Sequence, residues 1–197
     1  MEPELQKKTN EKKRIFTVPN MLSLFRLCLI PAIVWFYIVI QNSFATGCFL
    51  LLSGATDCLD GFIARRFSMI SDLGKILDPV ADKLTQAVML ICLLVRFRLM
   101  AFPLALLIIR DICIAVLCIA LIRNTGIVPQ AVWHGKIATA LLYGTMVLHV
   151  FWGSIPPVVS TAFIAVCTLM IGVSLVLYLT KNIKLLRQKG KPSGKTK

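Results

Sequence analysis

The sequence predicts an all-α integral membrane protein, a bundle of about six transmembrane helices with both termini cytoplasmic. Three observations lead there. Of 197 residues, 57% are hydrophobic and only 16% charged, with a mean hydropathy of +0.81; soluble domains run at about 45–50% apolar and about 25% charged. Apolar stretches recur over about 21–40, 44–62, 79–95, 99–122, 137–152 and 156–180, each near the ~20 residues that carry a helix through a ~30 Å hydrocarbon core. The formal charge of +13 is concentrated at the ends, with five Lys or Arg in the first fourteen residues and seven in the last seventeen. Basic ends beside apolar spans read as anchors on anionic lipid. A nucleic-acid surface would interleave its bases with aromatics. None does, so no nucleic-acid partner is expected.

Taken in order, residues 1–17 are a basic tail, 18–180 the membrane domain and 181–197 a flexible basic tail. The first apolar stretch is too long for a signal-peptide core and lacks a small-residue cleavage site after it, so it should remain in the mature chain. The breaks fall at 41–43, 63–78, 96–98, 123–136 and 153–157. Breaks two and four hold Arg65, Arg66, Lys75, Arg123 and Lys136, while breaks one and five are uncharged. The positive-inside rule then puts both tails on the cytoplasmic side with an even number of spans, Arg96 and Arg98 facing the other way. Trp35, Trp133 and Trp152 sit near span ends as interfacial residues. Pro103 and Pro156-Pro157 stand where spans begin and a missing N–H costs little. The seven cysteines form no C-x-x-C pair and lie in apolar runs, so they read as small buried hydrophobes. His134 and His149 lack a zinc-ligand pattern.

The acids carry the chemistry. Of nine, Glu2, Glu4 and Glu11 lie in the tail, and five of the remaining six fall between 57 and 82. Asp57 and Asp60 are three apart and Asp78 and Asp82 four apart, so each pair shares one helix face. Joined by a connection of about fifteen residues, the two helices can be antiparallel neighbours with both faces turned inward, which would converge four carboxylates near the cytoplasmic end of the bundle. Such a cluster is costly in a low-dielectric site unless cations offset it. Arg65 and Lys83 are candidates, but dense carboxylate oxygen more naturally holds hard divalent ions, Mg²⁺, Mn²⁺ or Ca²⁺. Two such ions could bridge a phosphate. Gly61 and Ala64 would let a bulky polar ligand approach the backbone, and Arg65 could bond a phosphate. Acids of this kind also serve proton relays and ion-coupled transporters, which is the alternative from another class.

Residues 57–82 fit D-x-x-D-G-x-x-A-R-x₈-G-x-x-x-D-x-x-x-D at every fixed position. This pattern resembles the signature of the CDP-alcohol phosphotransferase family. Pro19-Asn20, Leu22, Ser23, Arg26 and Pro31 are similar to the opening of the phosphatidylglycerophosphate and cardiolipin synthases within it. The resemblance implies transfer of the phosphatidyl group of CDP-diacylglycerol to an alcohol hydroxyl with release of CMP. It implies two divalent ions, Mg²⁺ or Mn²⁺, held by Asp57, Asp60, Asp78 and Asp82, with Asp82 also the general base. It assigns Asp57, Gly61, Ala64, Arg65 and Gly74 to the nucleotide, and it implies a homodimer.

The first expectation for the acceptor is glycerol 3-phosphate, whose dianion needs further cations. Arg110 beside Asp111, and Lys136, are the candidates; a packing pair and a snorkelling lysine are the competing readings. Arg110-Asp111 stands where many glycerophosphate enzymes of the family have Arg-Glu, and Ala138-Thr139 where they have Lys-Thr. The alternative acceptor is therefore phosphatidylglycerol, as in the cardiolipin synthases. The expected location is a bacterial plasma membrane, the site facing the cytoplasm in contact with membrane lipid.

Overall fold

The computed structural model describes residues 18–67, 74–125 and 133–189, all but short connections of them helical. Helix α1 spans Val18–Val34 and passes into a single π-helical turn, Trp35–Val39. There follow α2 at Ser43–Phe67, α3 at Gly74–Arg96, a 3₁₀ turn at Arg98–Met100, α4 at Ala101–Thr125, α5 at Trp133–Phe151 and α6 at Pro157–Lys189. No strand occurs among the described residues.

Local chemistry sets the ends. Gln41 takes a left-handed φ of 56°, a conformation costly for a residue with a Cβ, and breaks the chain between α1 and α2. The next residue, Asn42, caps α2 by accepting a hydrogen bond from the Ala45 N–H at 3.0 Å. Pro157 opens α6, where its fixed φ suits the first helical position. Three helices run further than their apolar cores. α2 continues to Phe67 and α3 begins at Gly74, five residues before Pro79, so Arg65 and Asp78 lie on helix rather than in the expected 63–78 connection. α6 continues through Lys181 to Lys189, so the first half of the expected flexible tail is helical. Hydropathy marks where lipid ends; the backbone hydrogen-bond ladder continues into polar sequence beyond it.

Among the described residues, three elements are long and apolar enough to cross a membrane by length and composition: Asn20–Val39, Arg98–Arg123 and Pro157–Ile183. The other three helices are diluted by polar residues: four acids and several bases on α2 and α3, and His134, Lys136 and His149 on α5.

The chain packs as two units. The first draws on Met1–Arg96 and Met146–Gly153, the second on Phe97–Thr145 and Ser154–Lys197. In the first, α1 lies against both α2 and α3. Its buried face begins polar, with Asn20, Ser23 and Arg26, and turns apolar at Leu29 and Ile33. α3 buries Ala81, Gln86, Met89, Leu90 and Leu93. Gly47 on α2 lies so close to Phe151 that a Cβ there would fall 2.3 Å from the ring. In the second unit α4 packs against α6. α4 buries Leu107, Arg110 and Leu121 while exposing Ile108, Ile112, Val116 and Ile119. An apolar face this continuous is at rest only against lipid or another apolar surface. Buried threonines cost little here, because Thr46, Thr85 and Thr145 each donate to the carbonyl four residues back at 2.8–2.9 Å.

Candidate active site

Three of the four signature carboxylates have described side chains, Asp57 on α2 and Asp78 and Asp82 on α3, each partly exposed. Asp60, Gly61, Ala64 and Arg65 fall on the helical backbone of α2 and Gly74 opens α3; their side-chain placement lies outside the described residues.

The sequence suggested two acidic faces turned toward each other. In the structure, one acid from each of these helices is hydrogen-bonded to α1. Arg26, whose side chain is fully enclosed, donates from a terminal guanidinium nitrogen to Asp57 Oδ1 at 2.5 Å. Ser23 Oγ donates a hydrogen bond to Asp78 Oδ1. Ser23 and Arg26 are one turn apart, about 4.5 Å along the axis at 1.5 Å per residue. An acid from α2 and an acid from α3 are thereby tethered to adjacent points on one helix. On α3 itself, Gln86 Nε2 donates to Asp82 Oδ2 at 2.9 Å, across one turn.

Among the described residues a fully enclosed cation, Arg26, stands beside Asp57; the side chain of Arg65 lies outside the described residues. The spacing of the acids does not single out Arg26. Its signal was in the sequence all the same. Asn20, Ser23 and Arg26 recur every three residues on an otherwise apolar helix, a polar stripe that only a buried polar partner justifies. Gln86 gave no such signal.

The donor set suits hard divalent ions. Carboxylates are oxygen ligands with two oxygens and about four lone-pair directions each. The hydrogen bonds from Arg26, Ser23 and Gln86 each engage one oxygen and so fix how the other is aimed, which is how outer partners orient metal ligands. Among the described residues no group of three or more His, Cys, Asp or Glu is gathered as a metal-holding cluster; Asp60, the fourth acid, is outside them.

The expected acceptor residues belong to the second unit. Arg110 is buried, and its Nε and one terminal nitrogen both donate to Asp111 Oδ1 at 3.1 Å. A buried guanidinium requires such a partner, and the adjacent carboxylate offsets much of its charge. Lys136 is exposed, with Nζ 5.7 Å from the centroid of the Trp133 ring, a cation–π contact one turn along α5.

Comparison with known proteins adds identity to this geometry. A family model described as CDP-alcohol phosphatidyltransferase matches residues 16–182. A CMP-forming cardiolipin synthase of Streptomyces coelicolor is 35% identical over 77% of this chain and 73% of its own length. The CDP-diacylglycerol–glycerol-3-phosphate 3-phosphatidyltransferase of Escherichia coli K12 is 33% identical over 63% of this chain and 71% of its own. A cardiolipin synthase/mitochondrial hydrolase fusion protein of Schizosaccharomyces pombe is 45% identical over 51% of this chain, which spans only 17% of that larger protein.

Proposed function

The chain belongs to the CDP-alcohol phosphatidyltransferase family, and from that premise we propose that it transfers the phosphatidyl group of CDP-diacylglycerol to glycerol 3-phosphate, giving phosphatidylglycerophosphate and CMP. The observation that carries the reading is the set of carboxylates from α2 and α3 held on the polar face of α1. Family membership sets aside the ion-coupled transporter, since the same acids are those of the family signature. The chain is a membrane enzyme; six spans, cytoplasmic termini, a site opening to the cytoplasm of a bacterial plasma membrane, and a homodimer belong to the proposal.

In this reading Asp57, Asp60, Asp78 and Asp82 would hold two divalent ions, Mg²⁺ or Mn²⁺. When bound, these would neutralise the diphosphate and stabilise charge on the attacking and leaving oxygens. Asp82 accepts the proton of the acceptor hydroxyl. The hydroxyl oxygen bonds to the β-phosphorus, the bond from that phosphorus to the bridging oxygen breaks, and CMP departs with the electron pair. Asp57, Gly61, Ala64, Arg65 and Gly74 seat the cytidine nucleotide. Arg26 and Ser23 hold the aim of Asp57 and Asp78, because phosphoryl transfer is mostly positioning and electrostatic stabilisation. Arg110 and Lys136 receive the acceptor's phosphate.

One observation favours phosphatidylglycerol as a second reading. Arg110 already shares its charge with Asp111, which suits a monoanionic phosphodiester better than a dianion. The test is CMP release by purified protein from CDP-diacylglycerol with Mg²⁺ or Mn²⁺, offering the two acceptors in parallel. Release with glycerol 3-phosphate, abolished by EDTA and by Asp82→Asn, is the expected result. Release with phosphatidylglycerol alone selects the second reading, and release with neither overturns both.

A further inference from the structure

Gln86 presents a buried carboxamide that the reaction as described does not use. The residue is fully enclosed. Its Nε2 donates to Asp82 Oδ2 at 2.9 Å. Its Oε1 is buried and has no hydrogen-bond partner among the described residues. The orientation of the amide follows from chemistry: an ionised carboxylate only accepts, so the nitrogen must face Asp82 and the oxygen must face away. A buried carbonyl oxygen with nothing to accept is a standing cost. It is removed when something carrying a donor arrives.

We infer that Gln86 Oε1 accepts a hydrogen bond from the hydroxyl adjacent to the reacting one, so that Asp82 and Gln86 together read a vicinal diol on the acceptor. The inference rests on Asp82 serving as the base toward the acceptor hydroxyl. One helical turn separates the two residues, and Nε2 already bonds Asp82 Oδ2. Oε1 of the same amide is therefore the nearest side-chain acceptor to a second hydroxyl on an acceptor seated at Asp82, reached once the bound acceptor opens the enclosure around Gln86. Two hydroxyls on neighbouring carbons present their protons a similar short distance apart. Glycerol 3-phosphate carries such a pair, and so does the glycerol head of phosphatidylglycerol. The device therefore selects glycerol-type acceptors as a class and rejects acceptors that have one hydroxyl, whichever of the two is the natural substrate. The selection arises because a missing hydroxyl leaves the buried oxygen unpaired in the occupied site, and pockets built to bond a hydroxyl discriminate strongly against analogues lacking it.

The test compares glycerol 3-phosphate with 3-hydroxypropyl phosphate, which lacks only the middle hydroxyl, and phosphatidylglycerol with its 2′-deoxy head-group analogue. CMP release is measured in wild type, Gln86→Met and Gln86→Leu. In wild type the deoxy acceptor should show a kcat/KM roughly 10- to 100-fold lower. In Gln86→Met that ratio should fall to near one, through loss of activity on the diol, with the KM for CDP-diacylglycerol unchanged. Equal use of the two acceptors by wild type overturns the inference without any variant. Equal loss on both acceptors in the variants also overturns it, reducing Gln86 to a positioning residue for Asp82. Absence of CMP release by wild type with every acceptor is a failure of the phosphatidyl-transfer reading, and is distinguishable from both. Thermal unfolding of each variant separates loss of fold from loss of recognition, and the wild-type comparison stands even if a variant does not fold.

Discussion

The Arg26–Asp57 pair joins two charges in unequal surroundings. The Arg26 side chain is 0% exposed and that of Asp57 43% exposed, at 2.5 Å. Removing one member leaves the other, and the cost depends on whether the survivor can recover water. Asp57→Asn takes one carboxylate from a fully enclosed guanidinium and puts a neutral amide in its place, and breaking a buried charge pair outright typically costs about 3–5 kcal/mol, an upper bound here. The amide can still accept one hydrogen bond, which brings the expectation to about 2–4 kcal/mol. Arg26→Met keeps most of the stem volume and leaves a carboxylate nearly half exposed, which solvent can screen; the cost should be at most about 1–2 kcal/mol. The double variant should be more stable than Asp57→Asn alone, since the enclosed charge that lost a carboxylate is then gone as well. The assay is reversible unfolding of the purified protein in mixed micelles, wild type against both single variants and the double. Arg26→Met proving more destabilising than Asp57→Asn, or a strictly additive double variant, would refute the reasoning, because either means that the burial asymmetry does not govern the pair.

Two further expectations rest on other parts of the molecule. Gly47→Ala places a Cβ 2.3 Å from the Phe151 ring, which Phe151 can escape only by leaving its edge-on contact with Phe44, ring centroids 6.2 Å apart; a loss of about 1–3 kcal/mol is expected, largely recovered by adding Phe151→Leu, as unfolding would report. Arg110→Gln should raise the KM for glycerol 3-phosphate roughly tenfold or more, as loss of one charge-assisted contact does, and leave that for CDP-diacylglycerol unchanged; steady-state CMP release with each substrate varied decides it, and an unchanged acceptor KM would return Arg110 to packing with Asp111.

How much of this was legible beforehand depended on which physical signal each feature leaves. The six helices were legible because hydropathy over some twenty residues is a collective property that survives errors at single positions. Their ends were not. The window that finds lipid contact stops at Phe62 and resumes at Pro79, whereas the ladder of backbone hydrogen bonds runs to Phe67 and from Gly74. The acidic pairs were legible as shared helix faces because i, i+3 and i+4 spacing is a covalent fact. What faces them is a tertiary fact. Nothing in the spacing of Asp57 and Asp78 says that Arg26 and Ser23 of α1 would hold them, although the polar stripe at 20, 23 and 26 announced that α1 must bury something polar.

The same distinction explains why α1, the helix bearing none of the acids, is the one to which Asp57 and Asp78 are bonded. Carboxylates on α2 and α3 repel one another, so two such helices have no electrostatic reason to approach. A third helix that is apolar over one stretch and carries a cation and a hydroxyl one turn apart over another gives both a reason to dock on it. Leu29 and Ile33 supply the non-directional part of that docking, and Ser23 and Arg26 the directional part. The directional part fixes the rotation of α2 and α3 about their own axes, which packing of apolar faces leaves loosely set. Rotation is what the proposed chemistry needs, because turning α3 by one residue, about 100°, would carry Asp78 away from Ser23 and Asp82 with it. On this view the Arg26–Asp57 and Ser23–Asp78 contacts act first on geometry, and the stability they contribute is secondary.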